Sequence, residues 1–112
     1  MSKVKVEISY YVSVGDATFS VGDDKVELLS NISKTGSISS AARKSGISYR
    51  SAQSYIKRME SRLGIKVVKS VKGGKNGGYT SLNNTGLYIV RECKKIKAIM
   101  DHQKSLGEIE KF

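Results

Sequence analysis

The side chains best suited to chemistry in this sequence lie between Ser37 and Arg62. Tyr49, Arg50, Gln53, Ser54, Lys57, Arg58 and Arg62 recur at spacings that a helix gathers onto its polar faces. Their chemistry is recognition, not bond-making. Arginine offers paired donors to guanine, glutamine makes paired hydrogen bonds to adenine, and lysine or further arginine neutralises phosphates. Nothing in the sequence supports catalysis. There is a single histidine, His102, near the C-terminal end, and a single cysteine, Cys93. No spacing suits a metal, and no nucleophile is placed beside a base. The expectation is a non-enzymatic chain with no cofactor and no metal.

The element that must position these groups runs from Ser37 to Leu63: a short helix, a turn and a longer second helix. Ser45-Gly46-Ile47-Ser48 marks the turn, and Ala41 and Ala42 before it are small enough for close helix packing. The Ser48 hydroxyl can cap the second helix. Ala52, Ile56, Met59 and Leu63 recur at steps of four, three and four, which is one apolar stripe. A buried stripe opposite a polar face is what a helix in a DNA major groove requires. N-terminal residues of such a helix reach furthest in. Tyr49, Arg50, Gln53 and Ser54 are therefore assigned to base edges. Ser39, Ser40, Lys44, Ser48, Lys57 and Arg58 are assigned to phosphates. The competing reading is a solvated basic surface helix.

Charge distribution weighs against that reading. The chain has 112 residues, enough for one small domain, and a formal net charge of +10. Residues 43 to 75 hold ten basic groups and one acid, Glu60, whereas the rest of the chain holds ten basic and nine acidic groups. The excess is therefore local, as in the footprint of a polyanion partner. No apolar run approaches the roughly 18 residues of a membrane span. The N-terminus alternates and does not resemble a signal peptide. One cysteine excludes an internal disulfide framework. A cytoplasmic, nucleoid-associated protein with no membrane partner is expected.

Around that core the chain divides into a β-hairpin (1–22), a helix-turn-helix with a wing (23–82), a long helix (83–106) and a tail (107–112). Val4, Val6, Ile8, Tyr10, Val12 and Val14 alternate with polar residues, which predicts a strand over 4–14. Gly15-Asp16-Ala17 turns the chain, and Thr18–Val21 returns with Phe19 and Val21 inward. Its open edge could support dimerisation. Asp23 is the expected N-cap of a first helix with Val26, Leu28, Leu29 and Ile32 buried and Gly36 at its end. Past Gly64, residues 65–71 and 79–82 read as two strands around the loop 72–78, which holds four glycines. Lys72, Lys75 and Asn76 in this wing would meet DNA backbone or a minor groove. Asn83 caps the last helix, running to about Lys104. Ile89, Cys93, Ile96 and Met100 form a coiled-coil-like seam widened by Val90 and Ile99, which predicts a homodimer through this helix. Cys93 on that seam either fills space or forms a disulfide with its copy.

These residues resemble a known family. Gly36-Ser37-Ile38-Ser39 with Ala41-Ala42, then Gly46-Ile47-Ser48-Tyr49-Arg50-Ser51-Ala52, followed by the glycines of the wing and Leu82 to Gly86, are similar to the N-terminal winged-helix domain of molybdate-responsive repressors. They resemble more distantly the DNA-binding domain of LysR-type regulators. The likeness covers about residues 23 to 105. It implies a stand-alone, single-domain winged helix without the molybdate-sensing domain. Three positions depart from the pattern. Gln53 stands where molybdate-repressor relatives usually carry an aromatic residue, and Lys69-Ser70 replaces an acidic–arginine pair.

The combined expectation is an α+β winged helix-turn-helix with an N-terminal β-hairpin and a long C-terminal dimerisation helix. It would bind double-stranded DNA as a homodimer at a roughly palindromic site and regulate transcription. The first alternative is a sequence-tolerant architectural DNA-binding protein. The second is an RNA-binding protein that stacks unpaired bases on Tyr49, Tyr55 and Tyr79.

Overall fold

The computed structural model describes residues 3–4, 6–71 and 78–110, with side chains as far as Gln103. The wing tip expected to carry Lys72, Lys75 and Asn76 lies outside the described residues. The elements are β1 (Ser9–Val14), β2 (Ala17–Gly22), α1 (Asp23–Thr35), α2 (Ile38–Lys44), α3 (Tyr49–Leu63), β3 (Val68–Val71), β4 (Tyr79–Leu82) and α4 (Asn84–Glu110). The order and class match the α+β winged helix-turn-helix expected from the sequence.

β1 and β2 pair antiparallel from Ser9 opposite Gly22 to Val14 opposite Ala17. Gly15 makes the turn at a φ of 58°, which disfavours any Cβ. β1 is shorter than the alternation predicted. Val4 and Val6 are almost fully exposed, at 96% and 92%. The reason is the partner: β2 ends at Gly22, so residues before Ser9 have no strand to pair with. β3 is shortened in the same way, since Val68 faces Leu82, the last residue of β4.

Helix ends follow their side chains. Gly22, not Asp23, is the N-cap of α1, and it makes no side-chain cap hydrogen bond. Asp23 is the first helical residue. Its carboxylate accepts the Tyr10 hydroxyl at 2.8 Å and lies 3.5 Å from Lys97 Nζ, so it ties the hairpin and α4 to α1. Ser37 caps α2 by accepting the Ser40 N–H, and Ser48 caps α3 by accepting the Ser51 N–H. Gly36 and Gly64 close α1 and α3 in the left-handed region. Asn83 accepts the Gly86 N–H at 2.9 Å and donates to the Lys66 carbonyl at 2.8 Å, joining the start of α4 to the chain entering β3.

One core joins the elements. Val26, Leu28, Leu29 and Ile32 of α1 are buried, as are Ala41, Ala42, Ala52, Ile56, Met59 and Leu63 of the helix-turn-helix. Tyr10 and Val21 bring the hairpin into this core, and Val67 and Leu82 bring in the wing root. Polar pins cross it: Asn31 Nδ2 donates to Ser45 Oγ at 3.0 Å, and Lys94 Nζ donates to Ser30 Oγ at 2.9 Å.

α4 divides the expected seam in two. Ile89, Val90 and Cys93 are buried in the core of their own chain, whereas Ile96, Ile99 and Met100 are half-exposed or more. The stripe is continuous, but the domain under it ends. The buried part of the seam is thus already covered within one chain, and of the expected seam residues Ile96, Ile99 and Met100 are the ones left exposed. α4 also continues to Glu110, through the expected tail at 107–110.

Candidate nucleic-acid interface

The polar face of α3 is built by exclusion. Ala52, Tyr55, Ile56, Met59 and Leu63 turn inward, so Arg50, Gln53, Ser54, Lys57, Arg58, Ser61 and Arg62 are left on the outer faces. With Phe19 of β2 they line one open groove that runs the length of α3. Four of the lining side chains are cationic and none is acidic. Arg50, Gln53 and Ser54, expected at base edges, share this groove with Lys57 and Arg58, expected at phosphates.

Tyr49 is separated from the other expected base readers. It lines a smaller groove with Ser37, Ser39, Tyr79 and Thr80, where the start of α3 faces the start of α2 and the wing root. The Thr80 N–H donates to the Gly36 carbonyl at 2.9 Å and fixes this edge of the wing against the end of α1. Lys44 is exposed on α2, outside both grooves. The Ser40 N–H and the Ser48 hydroxyl are engaged in caps, and Ser48 Oγ lies 3.0 Å from Ser51 Oγ. A phosphate on the Ser48 hydroxyl would compete with its cap.

Glu60 has a structural task that its place in the sequence does not reveal. Its carboxylate accepts the Val67 and Val68 N–H groups at 2.8 and 3.3 Å and lies 3.7 Å from Lys66 Nζ. The lone acid of the basic segment therefore works as a clasp between α3 and β3, and its charge is matched locally. A solitary acid in a basic run was the available signal.

Tyr55 corrects a second expectation. It is too buried to stack unpaired bases, at only 6% exposed. Its ring packs against Phe19 with centroids 5.4 Å apart, and its hydroxyl donates to the Ser20 carbonyl at 3.3 Å. The Arg58 guanidinium sits over the ring at 5.8 Å. Burial pushes the Tyr55 phenol well above its ordinary value, and Asp24 adds to this. Of the three tyrosines, Tyr49 and Tyr79 are half-exposed.

Burial also pushes the Cys93 thiol upward, with Asp23 and Glu92 adding to the shift. A buried thiol with a raised pKa is neither accessible nor activated. The geometry favours Cys93 as packing over Cys93 as an intermolecular disulfide. Among the described residues no three of His, Cys, Asp and Glu are grouped to hold a metal ion, and no helix is long and apolar enough to cross a membrane.

The family of bacterial regulatory helix-turn-helix proteins of the lysR type matches residues 24–86, from α1 through the wing to the start of α4. The chain belongs to this lysR family. Its members are regulatory helix-turn-helix proteins, and α2 with α3 lies within the matched residues as the helix-turn-helix of this chain. Relatives point the same way as the resemblance to molybdate-responsive repressors. The molybdenum-pterin-binding protein MopB of Rhodobacter capsulatus is 38% identical over 92 residues, covering 78% of this chain and 34% of that protein. The transcriptional regulator ModE of Haemophilus influenzae is 34% identical over 96 residues, covering 86% of this chain and 37% of that protein. The molybdenum transport protein ModE of Azotobacter vinelandii is 30% identical over 94 residues, covering 84% of this chain and 34% of that protein. The lysR-family chain thus spans about a third of the length of these relatives.

Proposed function

We propose that this lysR-family chain acts as a homodimeric regulator of transcription that reads a roughly palindromic duplex with α3. Arg50, Gln53 and Ser54 address base edges in the major groove, and Tyr49 reaches the same strand from the edge beside the wing. Lys57 and Arg58, with Ser39, Ser40 and Lys44 of the preceding helix, hold phosphates. The basic wing lies along the backbone or in the neighbouring minor groove. Two copies pair through the exposed end of α4, at Ile96, Ile99 and Met100, and set two α3 helices about one helical turn of DNA apart. Such a protein works in the cytoplasm, on the nucleoid. The relatives named for molybdenum match over only a third of their length, so the reading stops at DNA and takes no effector.

The observation that carries it is the α3 groove, with four cations, paired donors and acceptors from Arg50 and Gln53, and no acid. The test is selection of bound duplexes from a random library at near-physiological salt. Enrichment of a palindrome with half-sites about ten base pairs apart is the expected result. Retention without enrichment would replace it with a sequence-tolerant architectural protein. No retention of duplex would refute the reading.

A further inference from the structure

The family match begins at residue 24, so it leaves out the β1–β2 hairpin. Yet that hairpin is not remote from α3. Tyr55 anchors it through the Phe19 ring and the Ser20 carbonyl, on the flank of α3 opposite the Glu60 clasp. Burial falls along the inner face of the hairpin. Tyr10 and Val21 are in the core, Val12 and Phe19 are partly covered, and Val14 at the turn is 37% exposed. The hairpin therefore overhangs the edge of the core, and Phe19 forms a wall of the α3 groove.

That wall lines the groove together with Arg58 and Arg62, which lie in the half of α3 where base contacts are not expected, and Arg58 packs on the same Tyr55 ring as Phe19. A helix in the major groove lies between two sugar–phosphate backbones. In the proposed docking of α3 the wing and α2 are assigned to one of them. We propose that Phe19, Arg58 and Arg62 form a lip that grips the other, with the arginines on phosphates and the ring against the sugar. The hairpin thereby becomes a second wing. Its occupant is duplex DNA, because the groove is cationic along its whole length and belongs to a DNA-binding helix. The inference rests on the proposed docking of α3.

The test uses the full chain and a random-sequence duplex titrated across salt concentrations. Arg62→Ala should make the slope of log affinity against log salt shallower by about one, the loss of a single phosphate contact. Phe19→Lys and Phe19→Leu both remove the aromatic packing, but only the first adds a cation to the lip. Phe19→Lys should therefore bind more tightly than Phe19→Leu, with a slope steeper by about one. Equal affinities and slopes for the two Phe19 variants would overturn the proposal. If either of them melts below the assay temperature, Arg62→Ala decides alone, and an unchanged slope overturns it. Failure of the wild-type chain to bind duplex is a different result, which refutes the docking of α3 itself.

Discussion

The two hairpins that flank α3 both reach the core, but they differ in how much hydrogen bonding positions them. β1–β2 is held chiefly by burial: Val21 and Tyr10 enter the core and Phe19 packs on Tyr55, while the Tyr10 and Tyr55 hydroxyls donate to Asp23 and to the Ser20 carbonyl. β3–β4 is buried at its root through Val67 and Leu82, and several hydrogen bonds position it: the Val67 and Val68 N–H groups donate to the Glu60 carboxylate, Asn83 Nδ2 donates to the Lys66 carbonyl, and the Thr80 N–H donates to the Gly36 carbonyl. Burial is non-directional and tolerates small shifts, whereas a hydrogen bond fails over a fraction of an ångström. The first hairpin should behave as part of the domain. The second should behave as an attachment that single polar groups position.

The largest break is expected at the aromatic anchor. Tyr55→Ala should destabilise the fold by about 3–5 kcal/mol, the usual cost of emptying a buried aromatic site. Chemical denaturation would show this as a lower midpoint. A loss below about 1 kcal/mol would mean that the hairpin is not held by burial. Glu60→Ala should cost less, about 1–3 kcal/mol, because the buried Val67 is left with an unpaired N–H. Its signature is local: amide exchange should rise at Val67 and Val68 and stay unchanged at Tyr10 and Val21. Uniform exchange across both hairpins would erase the contrast between them. Asn83→Ala should cost about 0.5–2 kcal/mol as a lost cap. Its disturbance should appear at Lys66 and Gly86 and not at Phe19.

The smallest lever is alkali, which reaches the tyrosines that anchor the first hairpin. Tyr10 and Tyr55 are both held above their ordinary value of 10.0, chiefly by burial. Each keeps its proton in the fold, and the unfolded chain loses it first. Their contribution to stability is complete below pH 10 and declines as pH rises from there toward the folded pKa values. The melting temperature should fall between pH 9 and pH 11. It should fall less in Tyr55→Phe, which keeps the ring and removes one titrating group. Identical slopes for the two proteins would exclude Tyr55 as a source of the effect.

The contrast also explains what could be read from the sequence. The helix-turn-helix was legible because its information is local. Ser37 and Ser48 cap, Gly36 and Gly64 terminate, and the four-three-four stripe fixes the buried face. Strand limits were less legible because a strand is as long as its partner allows. The alternation from Val4 to Ile8 is sound as a pattern, but β2 ends at Gly22, where α1 begins. The same holds for Ile65 to Val67, since Leu82 is followed at once by the cap of α4. In α4 the apolar stripe passes unbroken from Ile89 to Met100, and no sequence signal marks where the domain beneath it stops. Of the candidate site, the groove set from Arg50 to Arg58 follows from helical spacing. Phe19 as its wall and Glu60 as its clasp depend on which elements flank α3, a tertiary fact.

The groove along α3, between two differently anchored hairpins, is the proposed DNA-binding face. Mapping amide chemical shifts of this 12.2 kDa chain during titration with duplex DNA tests it most directly. Predicted are shifts that cluster at residues 49–62, at the start of α2 and at Phe19, with the exposed end of α4 unmoved. Shifts concentrated on α4, or on the outer hairpin face at Tyr11 and Ser13, would contradict it.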